Sequence, residues 1–268
     1  MRFLKVGAVV FGALVVTTLG ISASDLLSGK GGSLLGMLVA TKEVGVCPVD
    51  MVHVPTASSF TCIDRYEASP SDSCPLLTLT SSIDTQRNLN EQSCRSTAVK
   101  AVLPWTYVTR EQAATLCARA GKRLPTANEW YMASIGTPDD AEKCNTSTNG
   151  IWASGSNPAC LSATGIYDAV GNVWEWVQDD VRDNKYGETP LPPEGYVAQV
   201  DMAGIPSLTE TKPNELFYDD YFWSREIGVF GMLRGGFYAS DSDGGLYAVH
   251  AKTAPTSATV AIGFRCVR

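Results

Sequence analysis

Eight cysteines, with no Cys-x-x-Cys among them, constrain this chain more than any other feature. They are Cys47, Cys62, Cys74, Cys94, Cys117, Cys144, Cys160 and Cys266. Zinc ribbons and thioredoxin-type redox sites need the closely spaced pair that is missing here. An even number points instead to disulfides, provided the chain reaches an oxidising compartment. Local pairs come first: Cys47 with Cys62, Cys74 with Cys94, and Cys144 with Cys160. Each closes a loop of roughly 15–20 residues, worth about 3 kcal/mol in the chain-entropy model. Cys117 and Cys266 are then left over. Spacing alone permits roughly a hundred pairings, and free thiols as well.

The N-terminus bears on the compartment. Met1-Arg2-Phe3-Leu4-Lys5 precedes an apolar run from Val6 to Ile21, which fits a secretory signal or a single membrane anchor. Ser22-Ala23-Ser24 offers small residues for cleavage. The expected division is a signal or anchor at 1–24, a flexible spacer at 25–46 and one domain at 47–268. The expected location is the cell envelope, either anchored or secreted. Ser28-Gly29-Lys30-Gly31-Gly32-Ser33 lacks the glycine and hydroxyl spacing of a phosphate loop. A net charge of -7 with no basic run argues against a nucleic-acid partner. Only His53 and His250 are present, which leaves no multi-histidine metal site.

Apolar residues make up 44% of the chain, enough for a sizeable core, and 24 glycines with 14 prolines point to many loops. Residues 51–55 and 60–64 read as two short strands around a turn. Asp64-Arg65-Tyr66-Glu67 reads as a charged strand end, and the Ser/Thr/Pro-rich stretch 70–90 as a loop. Thr109-Arg110-Glu111-Gln112 and Thr126-Ala127-Asn128-Glu129 are capping boxes. In each, a threonine hydroxyl accepts an orphan N–H and the side chain three residues on returns the bond. They predict helices ending near Gly121 and Gly136. Beyond these the period breaks up, and short strands between long loops are expected. The stretch 183–213 reads as a surface insertion. The fold class is α+β.

Five motifs occur in order: Gly121-Lys122-Arg123-Leu124-Pro125-Thr126, Glu129-Trp130, Gly171-Asn172-Val173-Trp174-Glu175-Trp176, Arg234-Gly235-Gly236 and Gly263-Phe264-Arg265-Cys266. On these the chain resembles the formylglycine-generating enzyme, or sulfatase-modifying factor, family across roughly 47–268. The resemblance implies a loop-rich domain related to the C-type lectin fold. It pairs Cys117 with Cys266. It implies calcium at Asp168, Gly171, Val173 and Glu175, two carboxylates and two backbone carbonyls being suitable hard ligands. The other reading of Glu175 is a buried carboxylate satisfied by the protein, and Trp174 and Trp176 read as core. The family oxidises its substrate through two copper(I)-binding cysteines after Arg-Gly-Gly. Those positions hold Ser240 and Gly245 here, which cannot ligate copper(I). No copper is expected. Ser134 and His250 stand near the places of a further family disulfide.

The stretch from Gly235 to Val267 also resembles the variable proteins of diversity-generating retroelements, where diversified residues sit on a glycine, alanine and proline frame. Phe237, Tyr238, Ser240, Asp241, Asp243, Tyr247, Val249, His250 and Thr256 are the corresponding candidate ligand-binding positions. Aromatic anchors mixed with short polar side chains suit a binding surface. The expected function is an exported ligand-binding protein for a protein or glycan, membrane-attached through its N-terminal segment. Two alternatives stand beside it. One is an enzyme using the same pocket by other means, with Ser240, His250 and Asp241 as hydrolytic candidates; the other is a structural surface domain.

Overall fold

Two faces of one mixed sheet organise the protein. The computed structural model describes residues 47–54 and 62–268. The expected signal or anchor and the spacer lie outside the described residues. Met51–His53 (β1) pairs antiparallel with Cys62–Asp64 (β2), and Ser69–Pro70 (β3) with Ser96–Thr97 (β4). Helix α1 covers Ser82–Asn90, α2 Arg110–Arg119 and α3 Ala127–Ser134. The main sheet is built from Trp174–Arg182 (β5), Lys185–Tyr186 (β6), Thr189–Pro190 (β7), Gly195–Val200 (β8), Pro206–Glu210 (β9), Tyr221–Ser224 (β10), Val229–Arg234 (β11), Val249–Thr253 (β12) and Ile262–Phe264 (β13). Its order is β7-β6-β5-β11-β12-β10-β8-β9, with β13 also on β5. β10 runs parallel to β12 and β13 parallel to β5; the other pairs are antiparallel.

Side chains on a strand alternate between faces. On β5, Trp174 and Trp176 pack with Leu116 and Ala113 of α2, whereas Val177 and Val181 join the core that includes Trp130 and Ala133 of α3. A strand covered on both sides loses the polar alternation, so Trp174 through Val177 is buried throughout. Both expected helices form with reciprocal capping boxes at Thr109 and Thr126. The hairpin of β1 and β2 also forms.

Two expectations fail. The stretch 70–90 contains α1, capped by the Ser81 side chain accepting from Asp84 N. The supposed insertion at 183–213 supplies β6, β7, β8 and β9, and buries Val197 and Ile205. The charged strand end falls at Asp64, where β2 stops, and both Asp64 and Glu67 are fully buried. Asp64 accepts from Lys122 Nζ at 2.7 Å and Cys266 N at 2.8 Å; Glu67 accepts from Ser154 Oγ at 2.7 Å and Asn172 Nδ2 at 2.6 Å. Such partners make buried carboxylates tolerable.

All eight cysteines are paired: Cys47–Cys62, Cys74–Cys94, Cys117–Cys266 and Cys144–Cys160. Four disulfides are the signature of an oxidising, extracellular-type environment. Among the described residues no helix is long and apolar enough to cross a membrane.

Candidate functional site

The ordered motifs build several polar clusters, the most buried of them around Glu175. Glu175 Oε1 accepts from Arg265 Nη2 at 2.6 Å, and its Oε2 accepts from Arg265 Nε and Trp130 Nε1, both at 2.7 Å. Arg234 stacks over Trp130, 5.0 Å from the ring centroid. Glu129 closes its capping box at Thr126 and takes the Arg123 guanidinium at 2.6 and 2.7 Å. Asn172 donates to Glu67, while its Oδ1 accepts from Asn145 Nδ2 at 3.0 Å and Trp152 N at 2.8 Å. Gly235 adopts φ +91°, and a Cβ there would stand 2.5 Å from Ala169 O. These motifs build the scaffold.

The two carboxylates among the calcium ligands implied by the resemblance have protein partners. Asp168 Oδ2 accepts from Gly155 N at 2.6 Å, and both Glu175 oxygens hold Arg265. Among the described residues no three His, Cys, Asp or Glu side chains form a metal-holding group. As arranged, the residues do not fit a calcium cage, and no step below passes through calcium. Copper(I) has no thiolate to bind, since every cysteine is in a disulfide. Ser240 Oγ instead accepts from Phe237 N at 2.9 Å. At Gly245 a Cβ would stand within 2.5 Å of both Asp139 Oδ2 and Asp220 Oδ1. Those two carboxyls crowd one another, Asp220 fully buried and Asp139 half-buried. Burial pushes Asp139 up to about 7 and raises Asp220 well above the usual carboxylate range, with the Asp139 charge adding to the second shift.

The nine C-terminal candidates do not share one face. Val249 is fully buried in the core and Ser240 is buried too. Tyr247 packs among Tyr131, Phe217 and Tyr218. Asp241 is exposed and accepts from Ser147 Oγ at 2.7 Å; Asp243 follows it in the same 3-10 turn. Thr256 is exposed beside α2. Phe237 and Tyr238 form their own edge-on pair. Ser240, His250 and Asp241 have separate partners, so the three do not build a catalytic triad. Ser134 is buried and donates to Trp130 O.

His250 belongs to a feature that the sequence reading missed. Its ring stacks on Trp223, with centroids 5.4 Å apart, and meets Trp174 at 5.7 Å. Trp223 continues to Tyr221 at 5.0 Å, and Tyr221 to Tyr196 at 5.0 Å. The row crosses β12, β10 and β8, because Trp223 is in register with His250 and Tyr221 with Tyr196. All four rings are half-buried, with Trp174 closing the inner end. Lys252 and Glu194 flank the row as an ion pair at 2.9 Å. Burial and the nearby Lys252 charge push His250 down to about 4, so its ring is neutral at physiological pH. The one local signal was Tyr221-Phe222-Trp223, whose alternation sets both outer rings on one face.

A family model described as "Sulfatase-modifying factor enzyme 1-like domain" matches residues 56–268. The chain belongs to the sulfatase-modifying factor family. A formylglycine-generating enzyme of Thermomonospora curvata is 26% identical over 190 residues, covering 61% of this chain and 54% of that protein. The serine/threonine-protein kinase Pkn1 of Chlamydia trachomatis is 27% identical over 173 residues, covering 62% of this chain and 24% of that protein. This family member therefore spans about half or less of those relatives' length. Among solved structures, the Major Tropism Determinant I1 variant aligns with a TM-score of 0.45 at 17% identity, covering 83% of this chain and 53% of that one.

Proposed function

We propose that this chain is a ligand-binding member of the sulfatase-modifying factor family. Its ligand lies on the ring row of Tyr196, Tyr221, Trp223 and His250. The contact between four half-buried rings on adjacent strands carries this reading. Large aromatic side chains supply much contact area at little conformational cost, and leaving them part-exposed in a monomer is unfavourable unless something covers them. The uncharged His250 keeps the row apolar, while Glu194 and Lys252 offer an acceptor and a donor at its edge. An apolar platform with polar groups at its rim suits a saccharide, whose C–H faces lie on rings and whose hydroxyls reach the rim. We place this activity in the cell envelope or outside it, with the N-terminal segment as export signal or anchor.

The test is binding to an array of immobilised oligosaccharides and peptides. Trp223→Ala is expected to abolish binding to whichever saccharide the wild type retains, and Thr256→Ala to leave it intact. Equal binding by Trp223→Ala and wild type would refute the proposed platform.

A further inference from the structure

A second site lies away from the ring row. A cleft of about 760 Å³ opens beside the β3–β4 ribbon and the end of α2. Arg65, Arg95, Lys100, Arg119, Lys122 and Arg268 line it, and Asp50 is the one acid among the lining residues. That balance opposes the chain's net charge of -7. Two of the cations have internal duties. Lys122 Nζ donates to Asp50 and Asp64 at 2.6 and 2.7 Å. Arg119 donates to Leu89 O, Glu91 O and Cys94 O, closing the C-terminus of α1. Among the described residues, no ion pair or hydrogen bond engages the side chains of Arg65, Arg95, Lys100 or Arg268.

These cations stand on stapled backbone. Arg95 follows Cys94 of the Cys74–Cys94 disulfide, and Arg65 comes three residues after Cys62 of Cys47–Cys62. Arg119 and Arg268 each come two residues after a half of Cys117–Cys266. Backbone bonds tie the same segments together: Ser71 N to Arg95 O, Tyr167 N to Arg65 O, and Arg268 with Cys62 in both directions. Three disulfides thus hold like charges around one opening. That arrangement is unfavourable alone and favourable around a counter-anion, because the ordering cost is met in advance. Guanidinium forks match phosphate, sulfate and carboxylate oxygens in pairs.

We propose that this cleft binds a small organic anion bearing at least two phosphate, sulfate or carboxylate groups, held by Arg65, Arg95 and Lys100. The site is independent of the ring row and does not rest on the saccharide reading.

Isothermal titration of the full disulfide-bonded chain with inorganic pyrophosphate tests it. Saturable binding is expected, weakening as sodium chloride is raised. The Arg65→Gln/Arg95→Gln variant, checked for its native circular dichroism and melting curve, is expected to bind about tenfold or more weakly, two charge-assisted forks having been removed. Lys100→Gln, at an exposed position, is a second variant expected to weaken binding should the double variant fail to fold. Lys185→Gln, on β6 and outside the cleft, is expected to match the wild type. Absence of saturable binding overturns the proposal. So does equal affinity in the cleft variants, or binding to phosphatidylglycerol vesicles without binding to pyrophosphate, which points to a lipid surface instead.

Discussion

Glu175 shows how a single residue can be read for one role and built for another. Its position suggests a calcium ligand, yet its carboxylate grips the fully buried Arg265 through both oxygens. A buried ion pair adds little net stability, but removing one partner strands the other charge out of water. Glu175→Gln is therefore expected to destabilise the fold by about 3–5 kcal/mol. Chemical denaturation monitored by tryptophan fluorescence measures this. The same samples probe calcium. With Arg265 in place, adding Ca²⁺ or a chelator is expected to leave the wild-type transition unmoved, because an ion stabilises a fold only by binding it. A clear upward shift in Ca²⁺ would show that the ion displaces or joins Arg265. Glu67 adds a related point. Its Oε1 is buried without a hydrogen-bond partner among the described residues, and burial beside Asp168 and Glu175 raises its pKa well above the carboxylate range. That shift favours the protonated form, which would limit the negative charge gathered around Arg265.

At the scale of elements, capping chemistry was the legible part. Thr126 accepts from Glu129 N, and Glu129 returns a bond to Thr126 N at 2.8 Å. Thr126→Ala is expected to cost about 1 kcal/mol, the usual worth of such a cap, measured by thermal melting. A change near zero would mean that Arg123 and Glu129 hold the helix start without the hydroxyl. Both capped helices, the β1–β2 hairpin and the three short-range disulfides could be read because each rests on chemistry close in sequence, while Cys117–Cys266 was implied by the family resemblance. Helix α1 could not. It is short and polar, it carries Ile83 at 65% exposure, and its buried positions are Thr85 and Asn88, so it shows no apolar stripe. Strands β8 and β9 were hidden by the prolines and glycines around them. The ring row was illegible for a different reason. Tyr196 and His250 lie far apart in sequence, and only strand order and register bring them together. The C-terminal stretch carries its candidates through the core, a turn and a strand, so their side chains leave on different faces.

The whole molecule answers to pH through its buried carboxyls. Asp139 and Asp220 converge on Gly245, and each accepts one backbone bond, from Leu246 N at 3.1 Å and Tyr247 N at 2.7 Å. Among the described residues Asp220 Oδ1 has no donor. Asp140 adds to the shift of Asp139, while Arg234 lowers that of Asp220 without cancelling it. Two ionised carboxylates cannot share this space cheaply, so one proton stays with the pair. Asp139 rises from its ordinary 3.8 to about 7 on folding. Between those values the folded state holds a proton that the unfolded chain releases. Stability from this source is complete below about pH 4 and is lost as pH rises through about 7. His250 acts in the opposite sense. Its folded value of about 4 lies below its ordinary 6.5, so its contribution is present above pH 6.5 and lost on acidification. The two trends oppose each other in mild acid and separate above it. From about pH 6.5 to 8 the wild type is expected to lose stability, with a slope of up to about 1.4 kcal/mol per pH unit for each proton released. In Asp220→Asn the amide can donate toward Asp139 in place of the shared proton and still accept from Tyr247 N. That variant is expected to show a flatter dependence over the same range. Melting temperatures taken in a single low-salt buffer series would decide it, and equal slopes in the two proteins would mean that the Asp139–Asp220 pair does not set the alkaline limit of the fold.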